Sequence, residues 1–134
     1  MIEHIKSLKD KKIIVVEDDK LLGGLLSKIL INEGCNVRYI ESGPPVLASA
    51  EAEKPDLILL DLLLPGISGF GVLDSLKKNV MTKDVPVIII SCLGEESDIE
   101  KGFSLGAASY LIKATVTVDG IIKEVSRILQ QAKE

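Results

Sequence analysis

The chain has no tryptophan, and aromatic residues make up only 3% of its 134 positions. The interior therefore has to be filled by Ile, Leu, Val and Ala, a composition that suits a parallel sheet covered by helices. Cysteine is scarce, and Cys35 and Cys92 have no metal-ligand spacing. That excludes a cysteine metal site and points to a cytosolic setting with both thiols reduced. No apolar run approaches the ~20 residues needed to cross a bilayer. The charged stretch from Met1 to Lys12 lacks the apolar segment of a signal peptide. Positive charge is not in excess: 16 Lys and Arg face 20 Asp and Glu, a formal net charge of −4. This argues against gripping nucleic acid through its phosphates, and equally against an anionic membrane surface. Internal repeats, low-complexity stretches and linkers are also missing, so the chain reads as one domain. Its core spans about residues 12–131, with residues 1–10 as a short N-terminal extension.

What is present is hydrophobic and regular. Apolar residues are 46% of the chain and the mean hydropathy is +0.31, far from a disordered composition. The pattern alternates strand and helix five times. Lys12–Val16 reads as the first strand, followed by a helix whose face is marked by Leu22, Leu25, Leu26 and Ile29 and which stops at Gly34. Gly23 and Gly24 inside that helix conflict with it, at ~1 kcal/mol each against Ala; close packing is the one reason available. In Asn36–Ile40, Val37 and Tyr39 alternate with polar neighbours, as in a half-exposed edge strand. Helices are expected over Pro45–Glu53, Phe70–Lys78 and Glu95–Ser104, and a last one carries Ile121, Ile122, Val125, Ile128 and Leu129. The remaining strands are Asp56–Leu60, Pro86–Ile90 and Ser109–Ile112. Regular βα alternation means a parallel sheet with helices on both faces. An edge-like second strand and buried first and third strands fit the order 2-1-3-4-5, whose switch point lies between strands 1 and 3.

Four of these runs end in a polar group. The first ends in Glu17-Asp18-Asp19, the third in Asp61, the fourth in Ser91 and the fifth in Lys113. In a parallel sheet they gather at one edge. Each has a plainer reading: the acids after strand 1 as helix caps, Asp61 as a loop acid before Pro65-Gly66, Ser91 as an ordinary strand-end hydroxyl, Lys113 as a solvated side chain. The plainer readings do not predict all of them at successive strand ends. Two carboxylates ~4 Å apart repel by roughly 4 kcal/mol at an effective dielectric of 20. Crowded oxygen ligands call for a hard divalent cation, Mg2+ above all. Acids, a cation, a hydroxyl and a lysine at one edge suit a transferring phosphoryl group, which needs positioning and charge neutralisation more than covalent help. Asp61 is placed to be the nucleophile and form an aspartyl-phosphate.

The segments IIVVEDD, LILLDLLLPGISGFGVL, VPVIIIS and GAASYLIK resemble the receiver (response regulator) domain of bacterial two-component signalling, in order and spacing, over about Lys12 to Gln131. The resemblance implies a flavodoxin-like (βα)5 doubly wound sheet. It implies that Asp61 accepts phosphate from a sensor histidine kinase or phosphotransfer protein. Glu17, Asp18, Asp61 and the backbone carbonyl of Leu63 would hold Mg2+. Ser91 and Lys113 would bind the phosphoryl group, and Tyr110 matches the family's switch aromatic, with ordinary strand-to-helix packing as its plainer reading. The output surface would be helix 4, strand 5 and helix 5, acting on a downstream protein or an output domain outside this sequence, or forming a homodimer. Helix 4, with Glu95, Glu96, Asp98 and Glu100, is acidic and weakly apolar, which fits a mobile helix or simply a solvated face. The chain is then a cytoplasmic stand-alone receiver or a piece of a longer regulator, and not an enzyme beyond its own phosphotransfer and slow self-dephosphorylation.

Two departures carry expectations. The family usually has Pro after the strand 5 lysine, in a cis bond; here Lys113 precedes Ala114, and a cis bond to a non-proline costs ~2.5–4 kcal/mol. A trans Lys113–Ala114 peptide or a reshaped loop is therefore expected. By the resemblance, the side chains two after the phosphorylated Asp and two after the hydroxyl residue, here Leu63 and Leu93, flank the site; two leucines cannot position an attacking water and should slow phosphate loss. Three rivals remain. A flavodoxin-like carrier would find its flavin phosphate repelled by Glu17-Asp18-Asp19. A pseudo-receiver that never takes phosphate does not need the full set of groups. A metal-dependent hydrolase lacks a visible general acid. His4, the single histidine, reads as a solvated residue rather than a relay group.

Overall fold

The computed structural model describes residues 8–132. Five parallel strands, β1 (Lys12–Val16), β2 (Asn36–Ile40), β3 (Leu57–Leu60), β4 (Val87–Ser91) and β5 (Ser109–Ile112), lie in the order 2-1-3-4-5. They alternate with α1 (Lys20–Asn32), α2 (Val46–Glu53), α3 (Gly69–Lys78), α4 (Glu96–Ser104) and α5 (Val118–Ala132). The observed elements lie within one or two residues of the expected ones.

Because strand side chains alternate between faces, the sheet divides the core in two. Ile13, Val15, Leu57, Leu59, Ile88 and Ile90 face α1 and α5, meeting Leu26, Leu30, Ile121 and Val125. Ile14, Val16, Ile58, Leu60, Val87 and Ile89 face the other way, onto Val46 and Ala50 of α2 and Val72, Leu73 and Leu76 of α3. β1, β3 and β4 are therefore apolar on both faces, while β2, with Asn36 and Arg38 exposed, is the expected edge.

Three local features differ from the sequence expectation or complete it. Leu25 is not on the buried face of α1: it is exposed, and Leu30 packs in the core instead. Leu8, inside the stretch read as an extension, is fully buried, and its carbonyl accepts a bond from the Cys35 thiol at 3.1 Å. The core thus begins before β1; His4 lies outside the described residues. Gly23 is explained by close packing: a Cβ there would stand 2.5 Å from the Tyr39 ring, whereas one at Gly24 would meet nothing within 4 Å.

Candidate functional site

The carboxyl ends of β1, β3 and β5 converge on one pocket. Glu17 follows β1, its N–H bonded to the Ile40 carbonyl at 3.0 Å, and Asp61 follows β3, its N–H bonded to the Val16 carbonyl at 2.9 Å. These ladder extensions carry both acids to the switch point, and both are only 2% exposed. The acids after β1 take different jobs. Asp19 caps α1, accepting from the N–H groups of Leu21 at 3.0 Å and Leu22 at 3.3 Å. Exposed Asp18 joins Glu17 and Asp61, with one oxygen from each within 4.8 Å of the others.

Lys113 reaches across the sheet into this cluster. Its Nζ lies 2.9 Å from Glu17 Oε1 and 3.1 Å from Asp61 Oδ2, and its backbone N–H is held by the Ser91 carbonyl at 2.8 Å. The Lys113–Ala114 peptide is trans, since the described residues contain no cis bond. The loop then turns back, with the N–H groups of Thr115 and Val116 both bonded to the Ile112 carbonyl at 3.0 Å. Trans geometry therefore does not keep the lysine from the pocket.

Burial pushes the Glu17 carboxyl up to about 7, helped by its bond to the Asp61 carboxyl and opposed by Lys113. Burial acts to lower Lys113, but its bonds to Glu17 and Asp61 outweigh this and leave it raised. Once Glu17 is ionised, Glu17, Asp18 and Asp61 set against one ammonium leave the pocket two formal charges short of neutrality. Charged carboxylate oxygens within 4.8 Å of one another repel by at least about 3 kcal/mol at an effective dielectric of 20. Hard oxygen donors, so close and under-neutralised, fit a Mg2+ ion. The residues that would hold it are Glu17, Asp18 and Asp61.

The loop after Asp61 is shaped around it. The Leu63 N–H donates to Asp61 Oδ1 at 3.2 Å, fixing that carboxylate. The Gly69 N–H bonds the Leu62 carbonyl at 2.8 Å, and a Cβ at Gly69 would run into the Asp61 carbonyl oxygen. Ser68 caps α3 by accepting from the Gly71 N–H at 3.3 Å. Ser91 is fully buried at the end of β4, and its Oγ accepts from the Leu93 N–H at 3.1 Å. The Tyr110 hydroxyl donates to the Leu93 carbonyl at 2.6 Å, while its ring packs under α4. The Leu63 side chain is 51% exposed at the pocket mouth and Leu93 is half-buried.

Glu17, Asp18, Asp61 and Lys113, read separately along the sequence, thus form one contact cluster. Ser91 sits on the adjoining strand, and Leu63 and Tyr110 touch the cluster's surroundings. Two parts were not visible in the sequence: the role of the Leu93 backbone, held by both Ser91 and Tyr110, and the separation of Asp19 from its two neighbours. The S/T/D/N preference at helix N-caps was the signal for the second.

A parallel sheet wound 2-1-3-4-5 with an acid cluster and a bonded lysine at its switch point defines a class: an α/β domain that receives a charged guest beyond the ends of its strands. Residues 13–126 match the response regulator receiver domain, and the chain belongs to that family. It is 34% identical to the DNA-binding dual master transcriptional regulator RpaA of Synechocystis sp., over 91% of this chain and 53% of that protein. It is 33% identical to protein PilH of Pseudomonas aeruginosa, over 88% of this chain and 97% of that protein. Among solved structures, the BeF3-activated N-terminal receiver domain of Klebsiella pneumoniae RstA aligns with a TM-score of 0.80 at 27% identity, covering 88% of this chain and 97% of that one. The chain spans about half the length of RpaA and of several other curated relatives. Among the described residues, no helix is long and apolar enough to cross a membrane.

Proposed function

We propose that this receiver domain is a phosphorylation-dependent switch in which Asp61 accepts a phosphoryl group from the phosphohistidine of a sensor histidine kinase or phosphotransfer protein. The observation that carries this reading is the pocket in which Lys113 bonds both Glu17 and Asp61, with Asp18 completing the acid cluster. An Asp61 carboxylate oxygen attacks phosphorus, a P–O bond forms, the P–N bond to the donor imidazole breaks, and the electron pair returns to the imidazole nitrogen. Mg2+ held by Glu17, Asp18, Asp61 and the Leu63 carbonyl would supply charge neutralisation for the transferring group.

The chain's own groups do the rest. The Leu63 N–H holds one Asp61 oxygen, so the other is presented in a fixed direction. Lys113 is already within bonding distance of Asp61 and exchanges part of that ion pair for the phosphoryl oxygens. Buried Ser91, whose Oγ accepts from the Leu93 N–H, turns its hydroxyl proton to the same group. Leu63 and Leu93 keep water from a hydrolytic approach, so the phosphorylated state is long-lived. The domain therefore has no turnover of its own beyond phosphotransfer and slow self-dephosphorylation. Phosphorylation adds about −1.5 to −2 charges, and Tyr110 and the α4–β5–α5 surface carry the consequence to a downstream protein, an output domain or a second copy. A reducing cytosol suits both free thiols.

Titration with beryllofluoride and Mg2+ tests this reading. Saturable binding that needs Mg2+ and disappears in Asp61→Asn is expected. Equal binding by Asp61→Asn, or none by the parent, would overturn it.

A further inference from the structure

Helix α4 is the least anchored helix of the fold. Its buried residue is Gly102, whereas α5 buries Ile121, Ile122, Val125, Ile128 and Leu129. A glycine inside a helix costs stability against alanine, so its presence asks for a reason. Packing gives one. A Cβ at Gly102 would stand 2.9 Å from Tyr110 Cδ2 and 2.9 Å from Ile89 Cδ1, closer than carbon atoms approach without strain. The ring of Tyr110 occupies the space that a side chain at residue 102 would fill. Beyond this seat, α4 is tied to α3 by exposed Lys101, whose ammonium lies 4.5 Å from the Phe70 ring centre, a weak tie at such a site.

From Gly102 an unbroken line of contacts leads back to the pocket. The Tyr110 hydroxyl bonds the Leu93 carbonyl, and the Leu93 N–H bonds Ser91 Oγ. The backbone of Leu93 is thus held at both of its polar groups, one by the strand-end hydroxyl and one by the aromatic under α4. Ser91 and Tyr110 also meet directly, side chain to side chain, and the Tyr110 ring faces the surface that Gly102 leaves open.

We propose that Gly102 is a positioning residue whose missing side chain lets Tyr110 follow the Leu93 backbone, so that the state of the pocket reaches α4. This rests on Asp61 being the phosphoryl acceptor, and it adds the element that sets how strongly the acceptor and α4 are coupled. Coupling of this kind is reciprocal: what hinders the response of α4 also lowers affinity at the pocket.

The chain carries its own reporter for the test. Cys92, exposed, sits between Ser91 and Leu93, while Cys35 is buried with its thiol pushed up to about 11. A trifluoromethyl tag therefore attaches to Cys92, and its fluorine resonance is followed in the full chain during titration with beryllofluoride and Mg2+. The parent's resonance should move on binding. Gly102→Ala should still reach saturation, with affinity lowered by no more than about tenfold, yet show less than about half the parent's displacement at saturation. Gly24→Ala, where a Cβ meets nothing within 4 Å, controls for helix propensity and should match the parent. A Gly102→Ala chain with the full displacement overturns the proposal, as does one that folds but no longer binds. If Gly102→Ala does not fold, Tyr110→Phe decides: it keeps the ring seated but removes the bond to Leu93, so an unchanged displacement overturns the proposal. Failure of the parent itself to bind beryllofluoride is a separate result, which sinks the acceptor reading and this proposal with it.

Discussion

Glu17 shows how one residue's surroundings set its chemistry. Its carboxyl rises from 4.5 to about 7 because it is buried and shares a bond with Asp61. The folded chain therefore keeps a proton that the unfolded chain releases between pH 4.5 and about 7. The metal-free fold loses stability as pH rises through that window and is level above it. Glu17→Gln should remove this slope; parallel parent and variant curves in pH-dependent denaturant melts would contradict it. Metal binding has the opposite sign, because it needs the ionised carboxylate: Mg2+ affinity should strengthen as pH rises through about 7, with proton release measurable by calorimetry. Leu63 makes a second residue-scale prediction. If Leu63, 51% exposed, flanks the phosphoryl group as proposed, a polar side chain there would orient water, so Leu63→Asn should lose phosphate several-fold faster in a phosphate-release assay, and an unchanged rate would count against the role of the two leucines. Much of this scale was legible in the sequence, because acids, a hydroxyl and a lysine each terminate an apolar run. The division of labour among Glu17, Asp18 and Asp19 was not: adjacent carboxylates look alike until the backbone says which one turns back to cap α1.

At the scale of elements, glycine separates two adjacent positions in α1. Gly23→Ala should destabilise by about 1–3 kcal/mol through overpacking against Tyr39. Gly24→Ala should stabilise by about 1 kcal/mol, the ordinary helix-propensity gain. Thermal melts of the two variants should move in opposite directions; a common shift would contradict the packing argument. Strands were easier to read than helix faces. Solid apolar runs in β1, β3 and β4 against alternation in β2 gave the sheet order, since only central strands are covered on both sides. Leu25 was misleading because one leucine beyond the buried stripe of α1 carries no mark that it faces solvent. Leu8 was hidden by the charged residues around it; its full burial and its contact with Cys35 show that it closes the core. The seat at Gly102 needs the meeting of α4 and β5, which no local pattern encodes.

For the whole molecule, the pocket exists because residues far apart in the chain end on neighbouring strands: Lys113 joins Glu17 across 96 positions and Asp61 across 52. No single element holds the site, so its geometry depends on the sheet being complete. Contacts through Ser91, Leu93 and Tyr110 link the same sheet to a helix that buries little of itself, the route along which the proposed response would travel. Incubation of the full chain with acetyl phosphate, read by intact mass and peptide mapping, tests the central claim most directly. One phosphoryl group, located on Asp61, dependent on Mg2+ and absent from Asp61→Asn, is the predicted result; no added mass on the parent, or the same added mass on Asp61→Asn, would contradict it.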